Sequence, residues 1–262
     1  MNSPSAGQRV VVTAGASGIG REIVARFLEA GAEVHVGDVD ENALSRLDEE
    51  CPDVGRTAVD VAVPEQVEQL FADALARLGG IDVLVAGAGI AGPTAPVEAV
   101  IPDDWRRCLA VNLDGGFHCA RHAASPMKAQ RSGSIVLISS TAGFHGYPLR
   151  TPYAAAKWGV IGLAKSLAME LGPYGVRVNA VCPGSVDGPR MDDVIAREAA
   201  AKGIEEEAVR ARYTAGVSLR TFITARDIAE TVYFLCSPAG ARVSGQAIAV
   251  DGHLENPGTL EE

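Results

Sequence analysis

Residues 9–20 read RVVVTAGASGIG, and REIVARFLEAG follows at 21–31. A run of β-branched valines reads as a strand, and the glycine-rich stretch after it as a tight turn. The next segment has apolar residues spaced by three and four and a Gly stop, the pattern of an amphipathic helix. Glycine in such a turn serves three needs: a sharp bend, close approach of backbone to a pyrophosphate, and close packing of helix on strand. The anion then rests on the free N–H groups at the helix start. The spacing is Gly15, Gly18 and Gly20, a GxxGxG rather than a GxGxxG. By itself it also fits a purely structural turn. An acid at the tip of the next strand favours a dinucleotide: Asp38 closes EVHVGD, 18 residues beyond Gly20. Its carboxylate suits adenosine ribose hydroxyls and repels a 2′-phosphate. Neither Ala16, Ser17 nor Val39 supplies the cation that a phosphorylated ribose would want. NAD is therefore expected over NADP, held by Gly15, Ser17, Gly18, Ile19, Gly20 and Asp38, with Asp60 and Val61 on the far side of the adenine. The alternative for Asp38 is an ordinary loop acid or a cap for a helix at 41–50.

Outward from this turn, apolar runs alternate with helical segments. RVVVT (9–13), EVHVG (33–37), GRTAV (55–59), DVLVA (82–86), SIVLIS (134–139), VRVNAV (176–181) and QAIAV (246–250) read as strands. Near-continuous apolar strands between helices imply a parallel sheet covered on both faces, an α/β doubly wound fold. No composition break divides residues 1–262, so a single domain is expected. The 47% hydrophobic content with only 5% aromatic predicts a core of Ala, Val, Leu and Ile. A net charge of −10 opposes a nucleic-acid groove or an anionic membrane surface. Five scattered cysteines without a CxxC fit reduced thiols and a cytoplasmic protein. No apolar run of roughly 18 residues suggests a membrane span, and MNSPSAGQR lacks a signal core. A long excursion at about 185–224, beyond the sixth strand, is expected to be a substrate lid, because parallel sheets bind ligands at their C-terminal ends.

TAGASGIG, Asp38, Asn112 in VNLDG, Ser140, YAAAK at 153–157 and CPGSV at 182–186 together resemble the short-chain dehydrogenase/reductase family. The resemblance spans essentially the whole chain, in order. It implies a Rossmann-type sheet of seven parallel strands in the order 3-2-1-4-5-6-7, a nicotinamide cofactor and, commonly, a homotetramer. It adds Ala88, Pro183, Gly184 and Val186 to the expected cofactor contacts. Three places depart from the family pattern. Ala14 stands where Gly is usual, so the local turn is expected to differ. Ala86-Gly87-Ala88-Gly89 replaces Asn-Asn-Ala-Gly. Gly188 replaces a Thr beside the carboxamide.

The window SSTAGFHGYPLRTPYAAAK (139–157) carries the chemistry. A secondary alcohol releases hydride only as its proton is removed, so a base must stand near its oxygen. A free tyrosine, with a pKa near ~10, is a poor base at neutral pH. Tyr153 and Lys157 are four apart, on one helix face, and the ammonium favours the phenolate. Thr151 is expected to cap this helix with Pro152 at its first position, so the macrodipole adds to the effect. In the family's pattern Lys157 also holds the nicotinamide ribose, Ser140 donates to the substrate oxygen, and Asn112 anchors a water. Tyr147 has no lysine four residues on. Ser139 is out of phase with Ser140 and should face the other way.

The substrate pocket is expected from Phe144, His145, Tyr147, Arg150, Arg190 and His253, with Ser140, His145, Arg150, Tyr153 and Arg190 binding the substrate. Such donors suit a sugar, sugar acid or polyol, including anionic ones, although Arg150 and Arg190 equally fit surface salt bridges. His118, Cys119 and His122 lack the Glu of HExxH, and no metal is expected. Trp105 and Trp158 are read as packing residues, Trp158 against a neighbouring helix. The tail VDGHLENPGTLEE is expected to reach a neighbouring subunit. The first reading is an NAD-dependent oxidoreductase of secondary alcohols. An NADPH-dependent carbonyl or 3-oxoacyl reductase and a non-catalytic dinucleotide sensor are the alternatives.

Overall fold

The computed structural model describes residues 7–254. The expectations for the first residues and for the tail beyond Leu254 lie outside this range. The first half is β1 (Arg9–Thr13), α1 (Gly18–Glu29), β2 (Glu33–Asp38), α2 (Glu41–Glu50), β3 (Gly55–Ala58), α3 (Pro64–Leu78) and β4 (Val83–Ala86). Next come α4 (Pro102–Leu109), α5 (Gly115–Gln130), β5 (Gly133–Ile138), α6 (Thr151–Leu171) and β6 (Val176–Pro183). Then follow α7 (Pro189–Lys202), α8 (Glu206–Ala215), α9 (Ala225–Cys236) and β7 (Ala247–Val250). The seven strands are parallel, in the order β3-β2-β1-β4-β5-β6-β7.

The valines of β1 show why the strands read as continuous apolar runs. Val10 and Val12 point to one face, into a core with Ile23, Phe27, Val36, Val85, Ile228 and Val232 beneath α1 and α9. Val11 points to the other, with Leu70, Phe71, Leu84, Ile135 and Leu137 beneath α3, α5 and α6. A strand buried on both sides has no use for polar alternation. Polar burial concentrates instead near the C-terminal ends of strands and on the helices over them: Thr13, Asp38, Ser139, Asn112 and Lys157. The chain winds away in opposite senses from β1 and β4, which opens a crevice at that edge.

Two expectations are corrected. Thr151 is not the cap of α6. The chain enters through Leu149 at φ +63°, Arg150 is the N-cap residue, and Ala154 N–H bonds back to Arg150 O. Thr151 and Pro152 are therefore the first two helical residues, and Tyr153 still lies in the first turn. Trp158 is 53% exposed, because its position on α6 lies away from the sheet. No helix among the described residues is long and apolar enough to cross a membrane.

Candidate active site

The turn between β1 and α1 is built by sterics. A Cβ on Gly20 would lie 1.9 Å from Ala14 O, and one on Gly15 would press on Val36 and Val24 at 3.0–3.2 Å. Only glycine lets α1 come this close to β1. Ala14 takes φ +54° itself, so the family's glycine turn is retained with an alanine in the left-handed region. Gly18, at φ +52°, has open space beside it. Ser17 caps α1 without using its side chain, and no acid sits in the first turn. The amides there carry the dipole's positive end with no competing anion, which suits a pyrophosphate.

Asp38 is buried at the tip of β2, where its Oδ2 accepts from Ala16 N (3.0 Å) and its Oδ1 from Asp40 N (3.1 Å). The carboxylate thus braces the glycine turn from the end of the neighbouring strand. Thr13, which the sequence reading passed over, gathers the opposite wall. Its Oγ1 accepts from Gly87 N (3.1 Å) and Ala88 N (3.4 Å). Asp60 is partly committed: burial opposes its ionisation, but the Ala62 amide and Arg107 outweigh this and hold its pKa low. Val61 is buried beside Gly115.

Ser140, Tyr153, Lys157 and Asn112, the residues expected to handle the proton, meet between β5, α6 and the loop after β4. Ser139 and Ser140 face opposite ways, as a strand requires. Ser139 is buried and donates to Lys157 O (2.8 Å), locking β5 to α6. Ser140 caps the short turn at 141–143 by accepting from Ala142 N (3.2 Å). That bond occupies a lone pair and leaves the hydroxyl proton for another acceptor. The Ser140 hydroxyl is also among the groups that lower the pKa of the Tyr153 phenol.

Lys157 is only 3% exposed, and its Nζ donates to Ile138 O (3.0 Å) at 5.5 Å from the Tyr153 ring centre. Burial works against a Tyr153 phenolate, yet Lys157, Arg190, the Ser140 hydrogen bond and Arg150 together bring its pKa below the ordinary tyrosine value. Lys157's own pKa is lowered, chiefly by burial. Asn112 sits in a π-helical turn, Ala110–Asp114, a local widening frequent at functional sites. Its Nδ2 donates to Cys108 O (2.9 Å) and Ile90 O (3.0 Å). Its buried Oδ1 has no partner among the described residues. A Cβ on Gly89 would lie 2.8 Å from that oxygen and 3.4 Å from Lys157 Nζ, so both atoms border the same small space.

On the substrate side, the structure brings Arg150 and Arg190 to Tyr153 and leaves other expected residues apart. The Arg150 guanidinium stands 4.9 Å from the Tyr153 ring centre and 5.7 Å from that of Tyr147. Arg190, at the start of α7, reaches back to Gly89 O at 3.5 Å. Neither forms the surface salt bridge that was the alternative among the described residues. His145 rests against Phe144 in its own loop, and Phe144 turns toward the core. His253 pairs with Ser218 (2.7 Å).

The excursion carries its own small core of Met191, Ile195, Ala199 and Val209, and its ends are pinned where Ile223 bonds with Ser185 O and Asp187 N. That bridge leaves the amide and carbonyl of the intervening Val186 outside it. Gly184 admits Asp251 at 2.7 Å from a would-be Cβ, and Gly188 takes φ +137°, a conformation closed to the family's threonine. Tyr213 on α8, missed from the sequence, ties the two halves of the pocket wall. Its hydroxyl donates to Glu198 (2.9 Å) and meets that of Tyr147, and burial with these neighbours pushes its pKa up.

Comparison with known proteins agrees with this geometry. A family model described as enoyl-(acyl carrier protein) reductase matches residues 13–254. A cis-4-hydroxycyclohexanecarboxylate dehydrogenase of Sinomonas cyclohexanicum is 38% identical, over 92% of this chain and 94% of that protein. A 3-oxoacyl-[acyl-carrier-protein] reductase of Thermotoga maritima is 33% identical, over 95% and 98%. The solved structure of an NAD+-bound xylitol dehydrogenase superposes with a TM-score of 0.90 at 27% identity, covering 95% and 99%. The chain belongs to the short-chain dehydrogenase/reductase family and is an oxidoreductase acting on CH–OH groups.

Proposed function

We propose that the protein is an NAD(H)-dependent dehydrogenase of a secondary alcohol, with Tyr153 as acid/base and a sugar, sugar acid, polyol or related hydroxy acid as substrate. The observation that carries this reading is Tyr153, its pKa lowered among Ser140, Lys157, Arg150 and Arg190. The residues present fit a dinucleotide. Gly15, Ser17, Gly18, Ile19 and Gly20 offer uncapped amides to the pyrophosphate, and Asp38 takes the adenosine ribose. Asp60, Val61 and Ala88 line the adenine side, and Lys157, Pro183, Gly184 and Val186 the nicotinamide side. When bound, the nicotinamide supplies the hydride acceptor or donor.

Tyr153 in its phenolate form takes the proton of the alcohol. Ser140, whose hydroxyl proton is not used in its bond with Ala142 N, donates to the same oxygen once an alcohol is bound and stabilises charge there. Lys157 keeps the phenol acidic, and the unpartnered Oδ1 of Asn112 accepts a water that connects Lys157 to solvent. NAD is favoured over NADP by Asp38 and by the xylitol dehydrogenase likeness. A homotetramer belongs to the same reading, supported by Phe117 on α5 and Trp158 on α6, which are 45% and 53% exposed; sedimentation of the purified protein tests it.

The test is a panel of xylitol, sugar acids, 3-hydroxybutyrate and cis-4-hydroxycyclohexanecarboxylate, run with NAD and NADP in parallel. Tyr153→Phe should lower kcat by about 10²–10⁴-fold while NADH fluorescence titration still shows binding. Because the cations stabilise the phenolate, kcat/KM for oxidation should rise with pH to a plateau reached below the ordinary tyrosine pKa. If wild type turns over none of the panel while binding NADH, the protein is a dinucleotide sensor.

A further inference from the structure

Three cations stand around Tyr153, and among the described residues no carboxylate pairs with them. Arg150, Lys157 and Arg190 all act on its phenol. Each uses a hydrogen bond on a backbone carbonyl: Arg150 Nη2 on Ala91 O (2.8 Å), Lys157 Nζ on Ile138 O (3.0 Å), Arg190 Nη1 on Gly89 O (3.5 Å). Among the described residues none of the three shares an ion pair with a carboxylate. Other arginines nearby do: Arg210 holds Asp187 and Asp192, and Arg107 holds Asp60. Arg150 Nε is buried and without a partner. A guanidinium has five N–H donors, so one carbonyl leaves most of its capacity unspent. In a chain of net charge −10 acids are plentiful, yet among the described residues none is paired with these three. Lys157 is buried and Arg150 half-buried, while Arg190 stands exposed at the rim; a cation drawn out of water is costly unless an anion joins it.

We propose that Arg150 and Arg190 form a receptor for a carboxylate on the substrate, so that the site selects hydroxy acids and their oxo acids over neutral alcohols. This rests on the dehydrogenase reading and narrows it. Arg150 approaches from the start of α6, three residues before Tyr153, with its guanidinium 4.9 Å from the ring centre of Tyr153 and 5.7 Å from that of Tyr147. Arg190 approaches from the start of α7, across the loop after β4. A carboxylate's two oxygens match the planar fork of a guanidinium. One added negative charge among three positive ones still leaves net attraction for the phenolate. A dinucleotide's pyrophosphate is a second anion that Arg190 would attract if it came within reach, and the kinetics separate the two sources.

Each hydroxy acid of the panel is paired with its neutral carboxamide and assayed with wild type, Arg150→Gln and Arg190→Gln. Wild type should prefer the acid by tenfold or more in kcat/KM. Each variant should reduce that preference at least tenfold, mainly through KM for the acid, with KM for NAD within twofold. Arg150→Lys, which keeps the charge, should retain part of the preference and serves if the glutamine variant does not fold. Independently, calorimetry on the NADH-loaded protein should show cyclohexanecarboxylate binding, weakened by salt, and no binding of cyclohexanecarboxamide. Equal turnover of acids and carboxamides by wild type, or equal losses on both in the variants, overturns the receptor and leaves the dehydrogenase standing. An Arg190 effect confined to KM for NAD assigns that residue to the pyrophosphate and overturns the pair. If no alcohol is oxidised, the dehydrogenase reading fails, and the cyclohexanecarboxylate titration decides the receptor alone.

Discussion

The turn from β1 to α1 and the loop from β5 to α6 both lead from the end of a parallel strand to the start of a helix, but they are held by different forces. The first is a contact of main chain with main chain. Its side chains are small or absent, and its shape follows from where a Cβ cannot fit. The second is a set of side chains, two serines, a tyrosine, a lysine and an arginine, each bonded to a carbonyl, an amide or a ring. A steric device fails abruptly when an atom is added. An electrostatic device shifts by degrees as charges are removed.

Gly20→Ala is the sharpest test of the steric half. With its Cβ placed 1.9 Å from Ala14 O, the backbone must move. A loss of about 3 kcal/mol in urea unfolding is expected, the upper part of the usual overpacking range, with NADH binding lost as well. Retention of both would show that the turn is not sterically set.

The two halves should also answer pH separately. His35 on β2 is buried, with Nε2 2.9 Å from Thr57 Oγ1, whose proton goes to Asp73 (2.8 Å). Nε2 must therefore carry the imidazole proton, and Nδ1 is left buried without a partner. Burial lowers the His35 pKa to about 4. The unfolded chain, titrating near ~6.5, binds the proton that the fold refuses. The stabilisation is complete above that value and is lost as pH falls towards about 4. It amounts to roughly 3 kcal/mol at most, by the usual energy per pKa unit. Urea midpoints measured from pH 7 to 5 should fall, and His35→Gln should flatten the slope. Oxidation, set by the Tyr153 phenolate, should rise with pH along a limb that Arg150→Gln moves upward and His35→Gln leaves in place.

Asp38→Asn is a smaller change at the edge of the steric half. It keeps the shape and removes the charge, so NAD should bind about 10- to 30-fold more weakly, the cost of a lost charged hydrogen bond. Discrimination against NADP should fall in the same titration. Ala14→Gly is the smallest. It relieves a left-handed alanine at φ +54°, and a gain of about 1 kcal/mol in unfolding free energy is expected. A loss would mean that the alanine methyl contributes packing that the backbone strain does not reveal.

Legibility in the sequence follows the same division. All seven strands and the phosphate turn are visible because they are local: an apolar run, then glycines, then a helical period. Tyr153 and Lys157 are visible because four residues on a helix make one face, and Ser139 separates from Ser140 because a strand alternates. Other features depend on partners far along the chain. Thr13 reaches Gly87, Arg190 reaches Gly89, and Tyr213 meets Tyr147, contacts that no spacing encodes. The cap of α6 was misplaced by one residue because Leu149 takes a left-handed conformation that its identity does not announce.

By itself, then, the sequence determined the alternation of strands and helices, the glycine turn and the pairing of Tyr153 with Lys157, since each rests on periodicity and on glycine's missing Cβ; the strand order and the place of Ser140 came with the family resemblance. Only the tertiary structure decided that Arg150 and Arg190 stand near Tyr153 and, among the described residues, form no surface salt bridge. The charge around a group is a sum over everything near it in space, and nearness in space is what folding adds.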